Sequence, residues 1–310
     1  MSSDAAPPPV DLGRQREHLR ATLGPWGAWS FGYASARSDA ARAAARATEA
    51  LGYGCLWYPE TTDSREAFVN AAVLLDATER IQVATGIASI WSRDARASVQ
   101  AARTLSDASG DRFVLGLGVS HRPMVDSRGH AYGKPVATMR AYLDAMAMCE
   151  DAVDPDQPVR TVLAALRPPM LRLAAERAVG AHPYLVTPEH TRRARAEMGP
   201  DALLCVEHKV VLETDPERAR AIARSEIAWY LQADNYVRNL EWLGFTPEQI
   251  ADGGADERVD ELVIWGDAQT IVGRLREHHV AGADHVAIHP CRDEDDPLGV
   301  RTFAALAPLL

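Results

Sequence analysis

The sequence predicts an α/β fold, a closed (β/α)8 TIM barrel, on three observations. Short apolar runs alternate with helical stretches, eight of each, as parallel strands joined by crossover helices do. The run Phe113-Val114-Leu115 is apolar at every residue rather than at every second one, as in a parallel strand covered on both faces. It leads straight into Gly116-Leu117-Gly118-Val119-Ser120-His121, where the missing Cβ atoms allow close approach to a ligand. As a bare pattern this turn lacks the third glycine of a dinucleotide fingerprint, and a packing glycine pair is its plain alternative. A doubly wound open sheet is the alternative fold.

In chain order, residues 1–10 include Ala5-Ala6-Pro7-Pro8-Pro9, have nothing to bury and are expected to be disordered. Residues 11–22 read as a short helix, so 1–23 form an N-terminal extension ahead of one barrel domain at 24–310. Strands are expected at 26–31, 54–58, 81–87, 113–118, 161–165, 183–187, 203–212 and 285–289. Helices are expected at 38–51, 65–77, 95–108, 134–149, 169–179, 189–198, 215–232 and 267–280. Start signals such as Thr187-Pro188-Glu189 and Thr214-Asp215-Pro216-Glu217 support several of them. Two insertions interrupt the repeat: a polar loop at 120–133 after the fourth strand, and a longer one at 233–260 before the last helix. Loops of that length in a compact domain are usually lids or interfaces.

With 310 residues, 47% of them hydrophobic, the chain can bury a large core. A formal charge of −10 and the absence of a basic patch argue against a nucleic-acid partner. No apolar run reaches the roughly 20 residues of a membrane span and no leader pattern opens the chain, so no membrane partner and a cytoplasmic location are expected. Cys55, Cys149, Cys205 and Cys291 are scattered, with neither zinc spacing nor a disulfide framework.

A barrel places its site at the carboxyl ends of the strands. That selects Phe31-Gly32, Tyr58-Pro59-Glu60, Ala88 to Trp91, Val119-Ser120-His121, Leu166 to Met170, Thr187, Glu213 and His289. The resulting mouth is apolar and aromatic with few ionisable groups, which suits a flat cofactor carrying the reactive atom and a small-molecule substrate, and so hydride transfer. No metal-ligand cluster and no nucleophile elbow are present. Glu60 is a candidate general acid or base, or a capping carboxylate. His121 is a candidate cofactor or proton-handling contact, or a loop histidine. Arg167 would grip a phosphate, or form a surface ion pair. Trp57 and Trp91 read as packing; Trp29, at the end of the first strand, reads better as a cofactor contact.

Trp29-Ser30-Phe31, Leu56-Trp57-Tyr58-Pro59-Glu60, Ala84-Thr85-Gly86-Ile87 and the stretch from Gly110 to His121 resemble the bacterial luciferase-like superfamily, and within it the branch of oxidoreductases dependent on the deazaflavin coenzyme F420. The resemblance covers nearly all of 24–289, including Gly180-Ala181-His182-Pro183-Tyr184 and Gly282-Ala283-Asp284-His285. It implies a luciferase-like (β/α)8 barrel, a deazaflavin ring across the strand ends, and a homodimer. It also implies a non-proline cis peptide after the third strand, matching Gly86-Ile87. The phosphate-side contacts map to Gly118, Val119, Ser120, Leu166, Arg167, Pro169 and Met170, and Trp29 and Tyr58 complete the expected cofactor set. Sugar-phosphate-oxidising relatives carry an Asp-His pair where this chain has Pro59-Glu60, and a Glu where it has His121. The acid–base pair does not carry over intact, so Glu60 and His121 are the expected proton-handling residues only by position. An FMN-dependent monooxygenase of the same superfamily is the rival reading, and a non-catalytic flavin- or deazaflavin-binding protein is the rival from another class.

Overall fold

The computed structural model describes residues 11–149, 152–154 and 157–310. The disorder expected at 1–10 lies outside the described residues. Ten strands form one parallel sheet: β1 (Trp26–Trp29), β2 (Cys55–Tyr58), β3 (Gln82–Thr85), β4 (Ala88–Ser89), β5 (Phe113–Gly118), β6 (Thr161–Leu163), β7 (Gly180–Ala181), β8 (Leu203–Val211), β9 (Val263–Trp265) and β10 (His285–Pro290). β10 pairs with both β1 and β8, which closes the ring β1-β2-β3-β5-β6-β7-β8-β10 into an eight-stranded barrel. β4 resumes the third strand beyond an interruption and pairs with β5 through Ala88↔Leu117 and Ser89↔Gly118. β9 lies beside the far end of β8, at Lys209↔Val263.

Every strand residue from β1 to β8 is buried, as the unbroken apolar runs require when helices cover one side and the barrel interior the other. Alternate residues then separate two cores. Trp29, Cys55, Trp57, Ala84, Val114, Val162, Leu203, Cys205 and Ala287 fill the interior, while Ala28, Leu56, Tyr58, Val83, Leu115, Leu117, Val206 and Ile288 pack under the surrounding helices.

Several elements differ from the sequence expectation. The helix Leu12–Leu23 is not an appendage: Leu19 and Leu23 are buried against the interior core, and Arg16 donates to the carbonyls of Ala175, Ala178 and Val179, so the helix plugs the amino-terminal end of the barrel. The sixth strand is Gly180–Ala181 rather than 183–187, because a Cβ at Gly180 would stand 2.0 Å from the Leu203 carbonyl oxygen and only glycine permits that approach. Residues 233–260 are helical rather than open loop, with helices Asp234–Leu243, Pro247–Ile250 and Asp256–Leu262, and the 120–133 segment carries the helix Arg122–Ser127. No helix among the described residues is long and apolar enough to cross a membrane.

Buried histidines punctuate both cores. His182 stacks on Trp57 with ring centroids 4.1 Å apart, and its Nδ1 donates to the Cys205 carbonyl at 2.8 Å. Trp57 Nε1 donates to His285 Nε2 at 3.0 Å. Outside the barrel, His208 Nδ1 lies 2.8 Å from His278 Nε2, whose Nδ1 is 2.7 Å from the Thr191 hydroxyl. Burial lowers His182 and His208 to about 3, and His190 and His285 to about 4. Unfolded histidines take up protons near pH 6.5 and these do not. Stability is therefore full above that pH and falls as pH drops toward 4, by roughly 1.4 kcal/mol per histidine for each unit of difference. Urea melts at stepped pH should show the loss setting in below pH 6.5, and His208→Asn should make the slope shallower.

Candidate active site

A cavity of about 920 Å³ opens at the carboxyl ends of the strands. Its floor is set where β3 breaks off. The Gly86–Ile87 peptide is cis, the bond at which the family resemblance places one. Ile87 lies over β5: a Cβ at Gly118 would fall 2.4 Å from Ile87 Cδ1, so a larger residue there would push the Ile87 side chain aside. A Cβ at Gly86 would meet Trp29 Nε1 at 2.7 Å and His182 Nε2 at 3.0 Å. Those two nitrogens belong to residues lining the cavity, are buried, and have no hydrogen-bond partner. Because His182 Nδ1 gives its proton to a carbonyl, Nε2 is an acceptor, whereas the indole Nε1 is a donor. The floor therefore presents one unused donor and one unused acceptor close together.

The expected contacts Trp29, Gly86, Ile87, Gly118, Val119, Ser120, Leu166, Arg167, Pro169 and Met170 all line this cavity. Val119 is fixed by Trp91 Nε1, which donates to its carbonyl at 2.9 Å, and Ser120, at φ 57°, by the Tyr132 hydroxyl at 3.0 Å. Leu166 accepts at its carbonyl from His190 Nε2 at 2.7 Å. Arg167 caps the helix Pro168–Arg177, and no carboxylate pairs with its guanidinium among the described residues. Its pKa is lowered by burial first and by the neighbouring Arg238 next. An unpaired cation lining the cavity suits an anionic group, and here it acts alone, because Pro168 and Pro169 leave the helix start without free amides.

Tyr58 does not belong to this set. Alternation turns it outward from β2, and its hydroxyl donates to the Ala67 carbonyl at 2.6 Å, beneath a covering helix. Glu60 lines the cavity but is committed elsewhere. Arg93 donates to its two oxygens at 2.6 and 3.1 Å, and the Ser89 amide donates at 2.7 Å. This carboxylate fastens β4 to the end of β2, and with its oxygens so occupied it is a poor acid or base. His121 lies against Trp229 and Tyr236, with ring centroids at 4.9 and 5.5 Å, and burial lowers it to about 4, so it is uncharged near neutral pH.

Sequence reasoning missed the ionisable cluster at the ends of β8 and β10. Lys209, wholly buried, donates to Glu226 Oε1 at 3.0 Å and lies 3.1 Å from His289 Nδ1, which is 2.7 Å from Glu207 Oε1. Burial raises Glu207 to about 7, against the pull of Lys209. Glu226, Tyr184, Tyr230 and Arg292 carry this cluster to the cavity wall. The available signal was Glu207-His208-Lys209 inside an otherwise apolar strand: two charges two residues apart share one face.

The luciferase-like monooxygenase family model matches residues 21–285, and the chain belongs to that family, one of oxidoreductases. Over 283 residues it is 23% identical to a 5,10-methylenetetrahydromethanopterin reductase of Archaeoglobus fulgidus, covering 77% of this chain and 85% of that protein. A shorter match, 33% identical over 99 residues, is to a Mycobacterium tuberculosis protein provisionally named a coenzyme F420-dependent oxidoreductase; it spans 32% of this chain and 28% of that protein's length. The coenzyme F420-dependent tetrahydromethanopterin reductase of Methanopyrus kandleri superposes with a TM-score of 0.73 at 15% identity, over 92% of this chain and 99% of that one. An FMN complex of a Pseudomonas putida Baeyer–Villiger monooxygenase superposes at 0.67 and 14% identity, over 92% and 98%. These superpositions show the shared barrel.

Glu60→Gln keeps the shape and removes one of the two carboxylate charges that hold Arg93, the other being Glu66. Loss of a charge-assisted bond at this site should cost about 1–3 kcal/mol of stability in urea unfolding. A variant as stable as the parent would contradict the fastening role.

Proposed function

We propose that this chain is an F420-dependent oxidoreductase that exchanges a hydride between the deazaflavin and a small organic substrate. The observation that carries the reading is the cavity floor, where Trp29 Nε1 and His182 Nε2 stand unpartnered beside Gly86. Buried polar groups left without partners are costly, so they mark a place that a ligand completes. The pyrimidine edge of flavins and deazaflavins presents N–H and C=O groups side by side and supplies both partners. Gly86, Ile87 and Gly118 would lie against the ring, and Ser120 and Arg167 would hold a phosphate. The relatives named for coenzyme F420 support the deazaflavin over FMN.

When bound, the deazaflavin supplies a carbon that gives or takes a hydride. The chain's own residues supply position and dryness. Tyr184, Trp229, Tyr230 and Tyr236 wall the space above the floor, and the start of the helix Asp234–Leu243 adds Asn235 to that wall. FMN-dependent monooxygenation is the second reading, favoured by the FMN-bound barrel of the same family.

Titration of the purified chain with F420 and with FMN separates the two. F420 should bind the more tightly, and Arg167→Ala should weaken it at least about tenfold, the size of a lost charge-assisted phosphate contact. Tight FMN binding with none for F420 would overturn the reading.

A further inference from the structure

We propose that Tyr230 is the proton-donating catalytic residue, acting with Tyr184 and Lys209 on an uncharged aryl carbonyl substrate. The proposal rests on the oxidoreductase reading above. Tyr184 and Tyr230 both line the cavity, with their hydroxyls 2.9 Å apart. Two phenols carry two protons, and only one can lie between the oxygens, so the other O–H is free for a third acceptor. The Lys209 ammonium, 5.0 Å from the Tyr184 ring centroid and 5.5 Å from that of Tyr230, stands behind the pair. A buried cation there stabilises a phenolate.

The groups behind Lys209 hold a spare proton. Lysine only donates, so His289 Nδ1, 3.1 Å away, receives from it when they bond. The same nitrogen has one bonding site, so its 2.7 Å contact with Glu207 is the alternative bond, with the proton on the imidazole or on the carboxyl. Glu207, pushed up to about 7 by burial, is able to hold that proton near neutral pH. Burial raises Tyr230 too, while Lys209 opposes the rise.

The substrate class follows from the wall. Tyr230 packs against Tyr236 at 4.9 Å, Trp229 at 5.2 Å and Tyr184 at 5.5 Å between centroids, and His121 beside them is uncharged. Such a surface accepts a flat aromatic face. Lys209 is engaged with Glu226 at 3.0 Å and would repel a cationic substrate, while the largely exposed Arg292 lies toward the rim, 3.6 Å from the same carboxylate. In the step itself, the carbonyl carbon would take the hydride that a bound, reduced deazaflavin supplies, and the C=O π pair would move to oxygen. The Tyr230 proton joins that oxygen, giving the alcohol and the oxidised coenzyme. The phenolate left beside Lys209 would regain its proton from solvent.

Two measurements test this. Ultraviolet phenolate titration of the chain without coenzyme should lose one component in Tyr230→Phe. That same component should move up by about one pH unit or more in Lys209→Gln, the scale of a lost charge contact. Should Lys209→Gln not fold, Tyr184→Phe must shift it instead. A component that stays in place overturns the proposal. With F420 bound, Tyr230→Phe should reduce acetophenone about 10²- to 10⁴-fold more slowly, the usual span of general acid catalysis, and lose the alkaline limb of the kcat profile, with F420 affinity kept within about twofold. A loaded parent enzyme that leaves acetophenone unreduced, or a Tyr230→Phe variant as fast as the parent, also overturns it. Failure of the parent to bind F420 defeats the oxidoreductase reading instead, and the phenolate titration still decides the Tyr230–Lys209 pair.

Discussion

The mouth of the barrel depends on how closely β3 and β5 approach at Gly116. A Cβ there would sit 1.8 Å from the Thr85 carbonyl oxygen, so no other residue admits the contact. The Thr85 hydroxyl takes over the ladder at this point, donating to the Gly116 carbonyl at 2.8 Å and accepting from its amide at 2.9 Å. With β3 ended by that exchange, the chain turns through Gly86–Ile87 and rejoins the sheet as β4. The excursion lays Ile87 over Gly118, stands beside the unpartnered Trp29 and His182 nitrogens at Gly86, and leaves the Ser89 amide for Glu60. Floor and fastening both descend from one glycine.

The polar groups above the floor are arranged against the usual logic of a core. Lys209 and Glu207 show no measurable exposure of their side chains, and burying such a pair costs several kcal/mol per ion before any attraction is counted. Well-packed apolar residues would serve stability as well or better, so the cluster is poorly explained as a structural device. Its contacts run through Glu226 and the two tyrosines to the cavity, where a controllable proton and a fixed positive charge have chemical use.

Much of this was legible in the sequence, for physical reasons that also mark the limit. The unbroken apolar run at 113–115 showed a strand covered on both faces, and the glycines at 116 and 118 showed where backbone had to come close. Period-two alternation places Tyr58 opposite to Trp57 and so outside the barrel, a consequence that selecting residues merely by their position at strand ends overlooked. The role of Glu60 depends on Arg93, a residue 33 positions away, and no local pattern records that pairing. The two-residue β7 was invisible because strand propensity needs a longer run than Gly180–Ala181 to register, and Tyr230 fell inside one expected helix, 215–232, with no pattern to show that the helix stops at Ile227 and a short turn at Tyr230–Gln232 lines the cavity.

The central claim is that the Gly86–Ile87 floor and the Arg167 corner together bind one deazaflavin. A crystal structure of the chain with F420 tests it most directly. The account places the ring edge on Trp29 Nε1 and His182 Nε2 and the phosphate within ion-pair reach of Arg167. A ring bound elsewhere, or a phosphate directed away from Arg167 with both floor nitrogens still unpartnered, would contradict it.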